Sequence, residues 1–321
     1  MRMFEALGQF LAITTVYATP LIWASLGGVF SERSGVIGLA LEGYMIFGAF
    51  AAASSAVVLE ASGWGAWGAW PAFFLGGLAG MLLSLLHAYA SVSLRADQVV
   101  SGFVVNFLAF GLSVYLVKVF FHGAGQTDTL RQAVFGRWGI PLLERIPVLG
   151  PSVFATYPST YLAFLAVLGA YLLLWHTPFG LHLRAAGESA GAAATAGLPV
   201  RRIRYIGVLV SGFLAGLGGA TVVLTTTGNF SHATISGQGF IALAAMIFGK
   251  WHPVGAFLAS LFFGIGTGLK NLIQLTPWAR DIPLDAILLF PYVLTLLVLA
   301  GFVGRAEAPR SLGQAYDPEV R

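Results

Sequence analysis

The segment TPFGLHLRAAGESAGAAATAGLPVRRIR, residues Thr177–Arg204, is a polar, basic island between two apolar runs of membrane-spanning length. It is too long for a turn and too rich in alanine for a disordered linker. Its middle, residues 189–196, consists of strong helix formers and predicts a short surface helix. Gly197 suits the left-handed position after the last helical turn, and Pro199 prevents continuation. We expect a small helix at the membrane surface to which another protein can bind.

The composition of the chain is that of an integral membrane protein. Of 321 residues, 57% are hydrophobic and 9% are charged, and the mean hydropathy is +0.83. Soluble domains carry about 25% charged residues, so this chain cannot hide its apolar surface from water. Apolar runs of about 20 residues recur from end to end, and the alternating pattern of a transmembrane barrel is missing. The predicted fold class is an all-α polytopic membrane protein, whose 41 glycines suit closely packed helices.

Several kinds of chemistry are excluded by residue content. The chain has no cysteine, which rules out disulfides, iron–sulfur clusters and thiolate catalysis. Its six histidines are scattered without metal-ligand spacing, and no nucleophile–base pair argues for catalysis. We therefore expect neither a metal nor a cofactor. The net charge of +4 reflects orientation in the membrane better than nucleic-acid binding. The N-terminus lacks the features of a removable signal peptide, so the run from Leu11 is expected to be a retained span.

The apolar runs form one domain, residues 1–321, with eight or nine transmembrane or re-entrant helices. The predicted segments are roughly 10–30, 36–58, 67–90, 98–120, 158–176, 204–226, 238–250, 253–270 and 284–303. The seventh is too short to cross a ~30 Å bilayer at ~1.5 Å per residue, so it is better explained as a re-entrant or broken segment. The second is interrupted by Gly35, Gly38 and Gly43 and is also a candidate for a break.

The charges of the island predict its side of the membrane. Its arginines outnumber its one acid, Glu188, which places residues 177–204 in the cytoplasm. Those arginines are Arg184, Arg201, Arg202 and Arg204. Alternation then puts the loop 121–157 on the outside as a compact cap, although it also carries arginines. The short tail, residues 304–321, is balanced in charge and adds no orientation signal.

A first motif, ERSGVIGLALEG (Glu32–Gly43), places an acid in the second span. Glu42 lies about six residues into the predicted segment, or ~9 Å deep by helical rise. An ionisable group at that depth is costly unless it meets water or a partner. Glu42 therefore either lines a pathway or stabilises a half-helix, or it makes a structural contact with Arg33 or with backbone. The residues alone favour neither interpretation.

A second motif, DQVVSGFVVN (Asp97–Asn106), opens the fourth span. Ser101 and Asn106 lie on offset sides of one helix. Asn106 could hydrogen-bond a polar solute or join two helices, and joining helices is the commoner role. His87, inside the third span, is interpreted as a packing residue rather than a proton relay, because no acid lies one turn away.

A third motif, GQGFIALAAMIFGKWHP (Gly237–Pro253), is typical of a re-entrant element. Its small residues permit close backbone approach, and Lys250 with Trp251 suits a membrane–water boundary. The motif is not a phosphate loop, because Trp251 stands where Ser or Thr is required. Elsewhere, glycine pairs four residues apart predict close helix crossings. These pairs are Gly76 and Gly80, Gly212 and Gly216, and Gly264 and Gly268.

These motifs and the island resemble the permease subunits of bacterial ABC importers in the branched-chain amino acid, simple sugar and nucleoside group. The similarity extends from about Thr19 to Gly264, and such a set in this order is highly specific. Its strongest pieces are ERSGV (32–36), LEG (41–43), DQVVSG (97–102) with Asn106, SGFLAG (211–216), GFIALAA (239–245) and IFGKW (247–251). The ERSG and FIALAA pieces look most like nucleoside-uptake permeases. One departure is Gly38, where relatives often have Asn, so selectivity could differ or depend on the partner permease.

The resemblance implies that this chain pairs with a second homologous permease in the bacterial cell inner membrane, surrounded by membrane lipid. A cytoplasmic ATPase would bind the island, and an extracellular or periplasmic binding lipoprotein would deliver a nucleoside-like solute. Carried over by motif, the ATPase-coupling residues are Arg184, Gly187, Glu188, Ala192, Ala193, Gly197 and Leu198. The expected pathway residues are Glu42, Gly43, Ser101, Asn106 and Phe240. The chain has no Walker motif, so we assign ATP hydrolysis to the partner and expect no enzyme activity here.

Two other classes remain as alternatives. An ion-coupled secondary transporter or channel needs acids or bases in its spans as coupling sites, and Glu42 alone supports it weakly. A lipid-modifying membrane enzyme would need a nucleophile, a metal set or a diphosphate-binding acid cluster. Within the importer class, a simple sugar, riboflavin or a branched-chain amino acid remains open as the substrate.

Overall fold

The chain folds as a bundle of helices in the computed structural model, which describes residues 2–141, 143–146, 148–275, 289 and 307–317. Within these residues the α-helices are α1 Arg2–Arg33, α2 Leu41–Ala61, α3 Ala69–Ala88, α4 Gln98–Phe120, α5 Pro158–His176, α6 Pro178–Glu188, α7 Ala190–Thr195, α8 Val200–Val222, α9 Gln238–Phe248 and α10 Pro253–Leu275. Two short antiparallel strands pair, β1 Trp138–Gly139 with β2 Ala155–Thr156.

Six helices of the described residues are long and apolar enough to cross a membrane. They are Leu7–Arg33, Leu41–Ala61, Gly65–Ser93, Gln98–Phe120, Pro158–His176 and Val200–Thr227. They coincide with the first six predicted segments, which confirms the polytopic helical class. The shorter helix α9, with 11 residues, and α10 occupy the seventh and eighth segments. The ninth predicted segment, 284–303, lies outside the described residues except for position 289.

Local sequence signals set the ends of the fourth and fifth spans. The carboxylate of Asp97 accepts hydrogen bonds from the backbone N–H groups of Val99 and Val100, both at 2.9 Å, and this N-cap starts α4. Pro158 opens α5, where its missing N–H costs no helical hydrogen bond. Both helices keep their predicted bounds, 98–120 and 158–176.

The centre of the bundle consists of α1, α2, α3 and α8, which cross at glycines. A Cβ built on Gly80 of α3 would lie 2.3 Å from the carbonyl oxygen of Gly212 of α8. A Cβ on Gly216 would lie 2.5 Å from the carbonyl oxygen of Gly76. On α10, Gly264 contacts α1 with similar closeness. Because only hydrogen fits at these places, the predicted close crossings are confirmed.

The two ends of the bundle differ. The described part of the loop 121–157 packs over one end of the bundle, which is called the loop end. The carboxylate of Glu60, near the end of α2, fastens this loop by accepting hydrogen bonds from three successive backbone N–H groups, those of Arg131, Gln132 and Ala133. The opposite end carries the polar island and is called the island end.

Two non-helical stretches lie next to the helices that carry the predicted site residues. Residues 34–40, the unwound segment, separate α1 from α2, and residues 228–237 separate the α8 region from α9. The first is the break that Gly35 and Gly38 predict. Because α2 begins at Leu41, Glu42 lies in the first turn of its helix, so the helical rise counted from residue 36 does not give its depth, which stays a prediction.

Candidate functional site

Glu42 joins α2 to the start of α9. Its two carboxylate oxygens accept hydrogen bonds from the backbone N–H groups of Gly237, at 2.7 Å, and Gly239, at 2.6 Å. The first N–H groups of a helix have no partner within the helix, and a negative charge there is favourable. Glu42 therefore caps α9 from a neighbouring helix. Of the contacts open to it from sequence, the structure shows the backbone contact and not a pair with Arg33.

Arg33 holds the other end of α9. Its Nε donates to the carbonyl oxygen of Trp251 at 2.9 Å, and its Nη2 donates to that of Lys250 at 3.3 Å. A cation at a helix C-terminus is favourable for the same reason that an anion is favourable at the N-terminus. Burial, and then the charge of Arg33, lower the pKa of the adjacent His252. The motif that contains both Arg33 and Glu42 thus fixes α9 at its two ends.

Glu32, next to Arg33, binds the same turn after α9 from the buried side. One of its carboxylate oxygens accepts the indole N–H of Trp251, and the other accepts the backbone N–H of Gly38 at 3.0 Å. Trp251 is only 5% exposed. Trp251 is therefore buried in the bundle with its indole N–H hydrogen-bonded, and its position near a membrane–water boundary stays a prediction.

Side chains of α3 and α4 satisfy the backbone of the unwound segment. Gln98 accepts the N–H of Ile37 at 2.8 Å, and the ring of His87 contacts the carbonyl oxygen of Ile37 at 3.1 Å through Nε2. A carbonyl oxygen only accepts, so Nε2 carries the proton and Nδ1 accepts from the hydroxyl of Ser101, 3.0 Å away. His87 is thus a packing residue with satisfied hydrogen bonds, as predicted.

Asn106 supports the same segment where α2 begins. Its Oδ1 accepts the N–H of Gly43 at 2.7 Å, and its Nδ2 donates to the carbonyl oxygen of Leu39 at 2.8 Å. Non-helical backbone at membrane depth is tolerated only where protein or water satisfies it. The structure therefore shows Asn106 in the helix-joining arrangement, with both ends of its amide engaged.

The five predicted pathway residues fall into two groups. Glu42, Gly43, Ser101 and Asn106 are buried and hydrogen-bonded to protein, whereas the ring of Phe240, in the first turn of α9, is 41% exposed. The first four therefore stabilise the backbone around the two non-helical stretches. Phe240 exposes its aromatic ring on the surface of the protein. A role for any of them in solute passage stays a prediction.

The island folds as two short helices instead of one. Helix α6 was not predicted, while α7, Ala190–Thr195, matches the helix expected over 189–196. The hydroxyl of Ser189 accepts the N–H of Ala192 at 3.3 Å and caps α7. At its other end, Gly197 has φ of +82° and Leu198 donates to the carbonyl oxygen of Ala193, which is a Schellman ending.

The predicted coupling residues lie around the corner between α6 and α7. Glu188, Ala192 and Gly197 are exposed, Arg184 and Leu198 are half-buried, and Gly187 and Ala193 are buried. A Cβ on Gly187 would lie 2.2 Å from the carbonyl oxygen of Arg33, so α6 ends directly against the start of the unwound segment. Arg33 and Glu188 approach to 3.8 Å. The guanidinium of Arg184 lies 5.1 Å above the ring of Trp175.

Two features at this end could not be predicted from the residues alone. Arg204, counted among the surface charges of the island, is only 1% exposed. The tail residues 307–317 pack against the α6–α7 corner and the unwound segment through the hydroxyl of Ser311 and through backbone hydrogen bonds, and backbone bonds leave no side-chain pattern to detect. Among the described residues, no group of three or more His, Asp or Glu side chains could hold a metal ion.

A membrane-spanning helical bundle with two internal breaks and a capped surface helix defines a polytopic membrane protein. Comparison with known families shows that the chain belongs to the permease components of branched-chain amino acid transport systems, over residues 10–299. It is therefore a multi-pass membrane permease component.

Among individual proteins, the chain is 46% identical over 317 residues to the guanosine ABC transporter permease protein NupQ of Bacillus subtilis, covering 98% of each chain. It is 45% identical over 321 residues to the nucleoside ABC transporter permease protein NupC of Lactococcus lactis, covering 98% of this chain and 99% of that protein. The putative glucose ABC transporter permease protein TsgC13 of Haloferax volcanii is 31% identical over 335 residues, or 97% of this chain and 98% of its own length. No solved structure matches the chain.

Proposed function

We propose that this chain is the membrane-spanning permease subunit of an ATP-driven importer of nucleosides. The observation that carries the proposal is the near full-length identity of 46% and 45% to permeases named for guanosine and for nucleosides. The relative named for glucose is more distant, at 31%. Guanosine is therefore the first substrate to test.

The geometry of the island supports an external energy source. The helix α7 is short, capped at both ends and exposed along one side, so it can fit into a cleft of another protein without unfolding. We place this end in the cytoplasm, where an ATPase subunit binds it, and the loop end outside, where a binding lipoprotein delivers solute. A second permease completes the pathway, with eight or nine transmembrane or re-entrant helices in each chain.

The fixed ends of α9 suggest how displacement reaches the pathway. Glu42 and Arg33 connect both ends of α9 to the chain between α1 and α2, so α9 and the unwound segment move as one body. Phe240 in the first turn of α9 then changes its exposure to the pathway. An exposed aromatic ring can stack on a nucleobase, a contact that contributes about 1–3 kcal/mol per base in nucleic-acid complexes.

The same contacts argue against ion coupling. A coupling carboxylate must take up and release a cation or proton during transport. Among the described residues, Glu32 and Glu42 are the buried carboxylates, and both are engaged by N–H donors that hold α9 in place. Releasing either of them would free an end of α9.

Uptake by membrane vesicles that contain the complete complex tests the proposal. Labelled guanosine should accumulate when ATP is present on the island side, and a protonophore should not reduce accumulation while ATP stays high. Accumulation that a protonophore abolishes at constant ATP would reject the proposal. Uptake of glucose or leucine in preference to guanosine would reject the substrate class.

A further inference from the structure

The C-terminal tail connects the α6–α7 corner to the unwound segment. The backbone N–H of Ser311 donates to the carbonyl oxygen of Gly187 at 2.8 Å. Two residues further along, the N–H of Gly313 donates to the carbonyl oxygen of Gly35 at 3.2 Å. Gly187 is the next-to-last residue of α6 and one of the predicted coupling residues, and Gly35 is the second residue of the unwound segment. The tail therefore contacts both the predicted coupling corner and the unwound segment.

The hydroxyl of Ser311 strengthens the first of these contacts. It donates to the carbonyl oxygen of Glu188 at 3.2 Å and accepts the N–H of Ala190 at 3.3 Å. The carbonyl group of Glu188 and the N–H group of Ala190 lie on either side of Ser189, which is the cap residue of both α6 and α7. Ser311 is 8% exposed, so water does not compete for the contacts. One buried serine thus holds both helices of the corner.

Beyond Gly313, the tail binds two further parts of the bundle. The guanidinium of Arg204, on α8, donates from Nη1 to the carbonyl oxygen of Gln314 at 2.7 Å. A Cβ on Gly35 would lie 2.9 Å from Nη2 of the same guanidinium, so Arg204 packs against the unwound segment as well. Asp317 forms an ion pair with Arg95, which lies between α3 and α4.

We propose that residues 309–317, the C-terminal clasp, transmit displacement of the α6–α7 corner to the unwound segment during transport. The inference rests on the proposed function for its coupling role. Force requires a continuous packed connection between the two sites. The corner touches the start of the unwound segment directly at Gly187, and the clasp adds a second connection that reaches Gly35 and Arg204. With two points of attachment, the corner cannot pivot without moving the unwound segment.

A variant at Ser311 tests the clasp in the complete complex. Ser311→Pro removes both the backbone donor and the hydroxyl. We expect guanosine uptake per ATP hydrolysed to fall about tenfold, within the usual range of coupling energies, while ATPase binding and hydrolysis stay within about twofold. Gln314→Ala is the matched control, because among the described residues its exposed side chain bonds the Arg310 carbonyl oxygen alone, and its own carbonyl still meets Arg204. Normal coupling in Ser311→Pro, or a parallel loss of assembly, hydrolysis and uptake, would overturn the proposal.

An engineered disulfide tests the same point in a variant that keeps the backbone N–H of residue 311, the donor to the carbonyl oxygen of Gly187. The natural chain has no cysteine, so Ala190→Cys with Ser311→Cys introduces the only pair. Oxidation should leave uptake within about twofold of the reduced variant, because the clasp moves with the corner. Uptake that stops on oxidation and returns on reduction would show that the tail must detach, which contradicts the proposal.

Hydrogen exchange separates failure of the clasp from failure of the proposed function. In the wild-type complex, ATP should change amide exchange in both α7 and residues 34–40, whichever solute is carried. In Ser311→Pro, the change in α7 should remain and that in residues 34–40 should disappear. Identical responses in both proteins would overturn the clasp. Absence of ATP-driven guanosine uptake by the wild-type complex would instead count against the proposed substrate.

Discussion

The carboxylate of Glu42 accepts the backbone N–H of Gly239 at 2.6 Å, although the two residues are 197 positions apart. A Cβ on Gly239 would lie 2.4 Å from the backbone of Glu42, so the two chains touch without an intervening side chain. This contact joins the two motifs most characteristic of the sequence and fixes the start of α9.

Replacing Glu42 by Gln should destabilise the protein more than its small change in shape suggests. The amide offers one acceptor oxygen and turns its NH₂ group toward an N–H donor. Loss of a hydrogen bond to a charged group costs about 1.5–3 kcal/mol. The thermal unfolding temperature of the purified permease measures the effect. Glu60→Gln is the matched control, because Glu60 also accepts several N–H groups but lies at the exposed loop end, and it should have the smaller effect. Equal shifts would contradict the capping role of Glu42.

Gly239→Ala should disrupt α9 by steric overlap alone. The new methyl group would press on the backbone of α2, and overpacking of this kind costs about 1–3 kcal/mol or more. Gly111→Ala, on the exposed side of α4, is the matched control, because nothing lies within 4 Å of its added Cβ. We expect reduced uptake and thermal stability in Gly239→Ala and wild-type values in Gly111→Ala. A fully active Gly239→Ala protein would show that α9 is not held as described.

Asn106→Ala and Phe240→Ala should fail in different ways. Asn106 joins Gly43 to Leu39, so its loss should lower thermal stability by about 1–3 kcal/mol for the donors and acceptors left unpaired. Phe240→Ala should leave stability close to wild type and raise the KM for uptake, because its ring is exposed and available to solute. Both are measured on equal amounts of folded complex. An altered KM with normal stability in Asn106→Ala would make Asn106 a solute ligand instead.

Gly197→Trp should abolish binding of the ATPase while the chain still inserts in the membrane. Nothing lies within 4 Å of its Cβ position, so the indole projects from the end of α7 into the partner's space. Its φ of +82° costs about 1–2 kcal/mol for a residue with a side chain. Gly123→Trp is the matched control, with φ of +85° and equal space, but at the loop end. Co-purification of the ATPase should be lost in the first variant and kept in the second. Retention in both would show that α7 is not the binding element.

Local features of the fold could be predicted from the sequence because their causes are local. Asp97, Pro158 and Gly197 each mark a helix end through their own backbone or side-chain geometry, and the spans followed from apolar length. The glycines before α2 predicted the break at residues 34–40, and the shortness of the α9 run predicted a segment that does not cross the membrane as one full span. These features need no information about the rest of the chain.

Contacts between distant segments could not be predicted in the same way. The partner of Glu42 is an N–H group, which every residue except proline has, so no residue type reveals it. Tryptophan is common at membrane interfaces, so the residue type of Trp251 does not reveal its burial or its hydrogen bond to Glu32. The burial of Arg204 depends on a tail that contacts it through a carbonyl oxygen. For each of these residues, the missing information was tertiary.

Reconstitution of the purified proteins in liposomes shows whether this chain forms a passage and receives its energy from another subunit. The chain reconstituted alone should not accumulate guanosine under any imposed proton or sodium gradient. The complete complex should accumulate it when ATP is supplied to the island end. Sustained, gradient-driven accumulation by the chain alone would contradict the account.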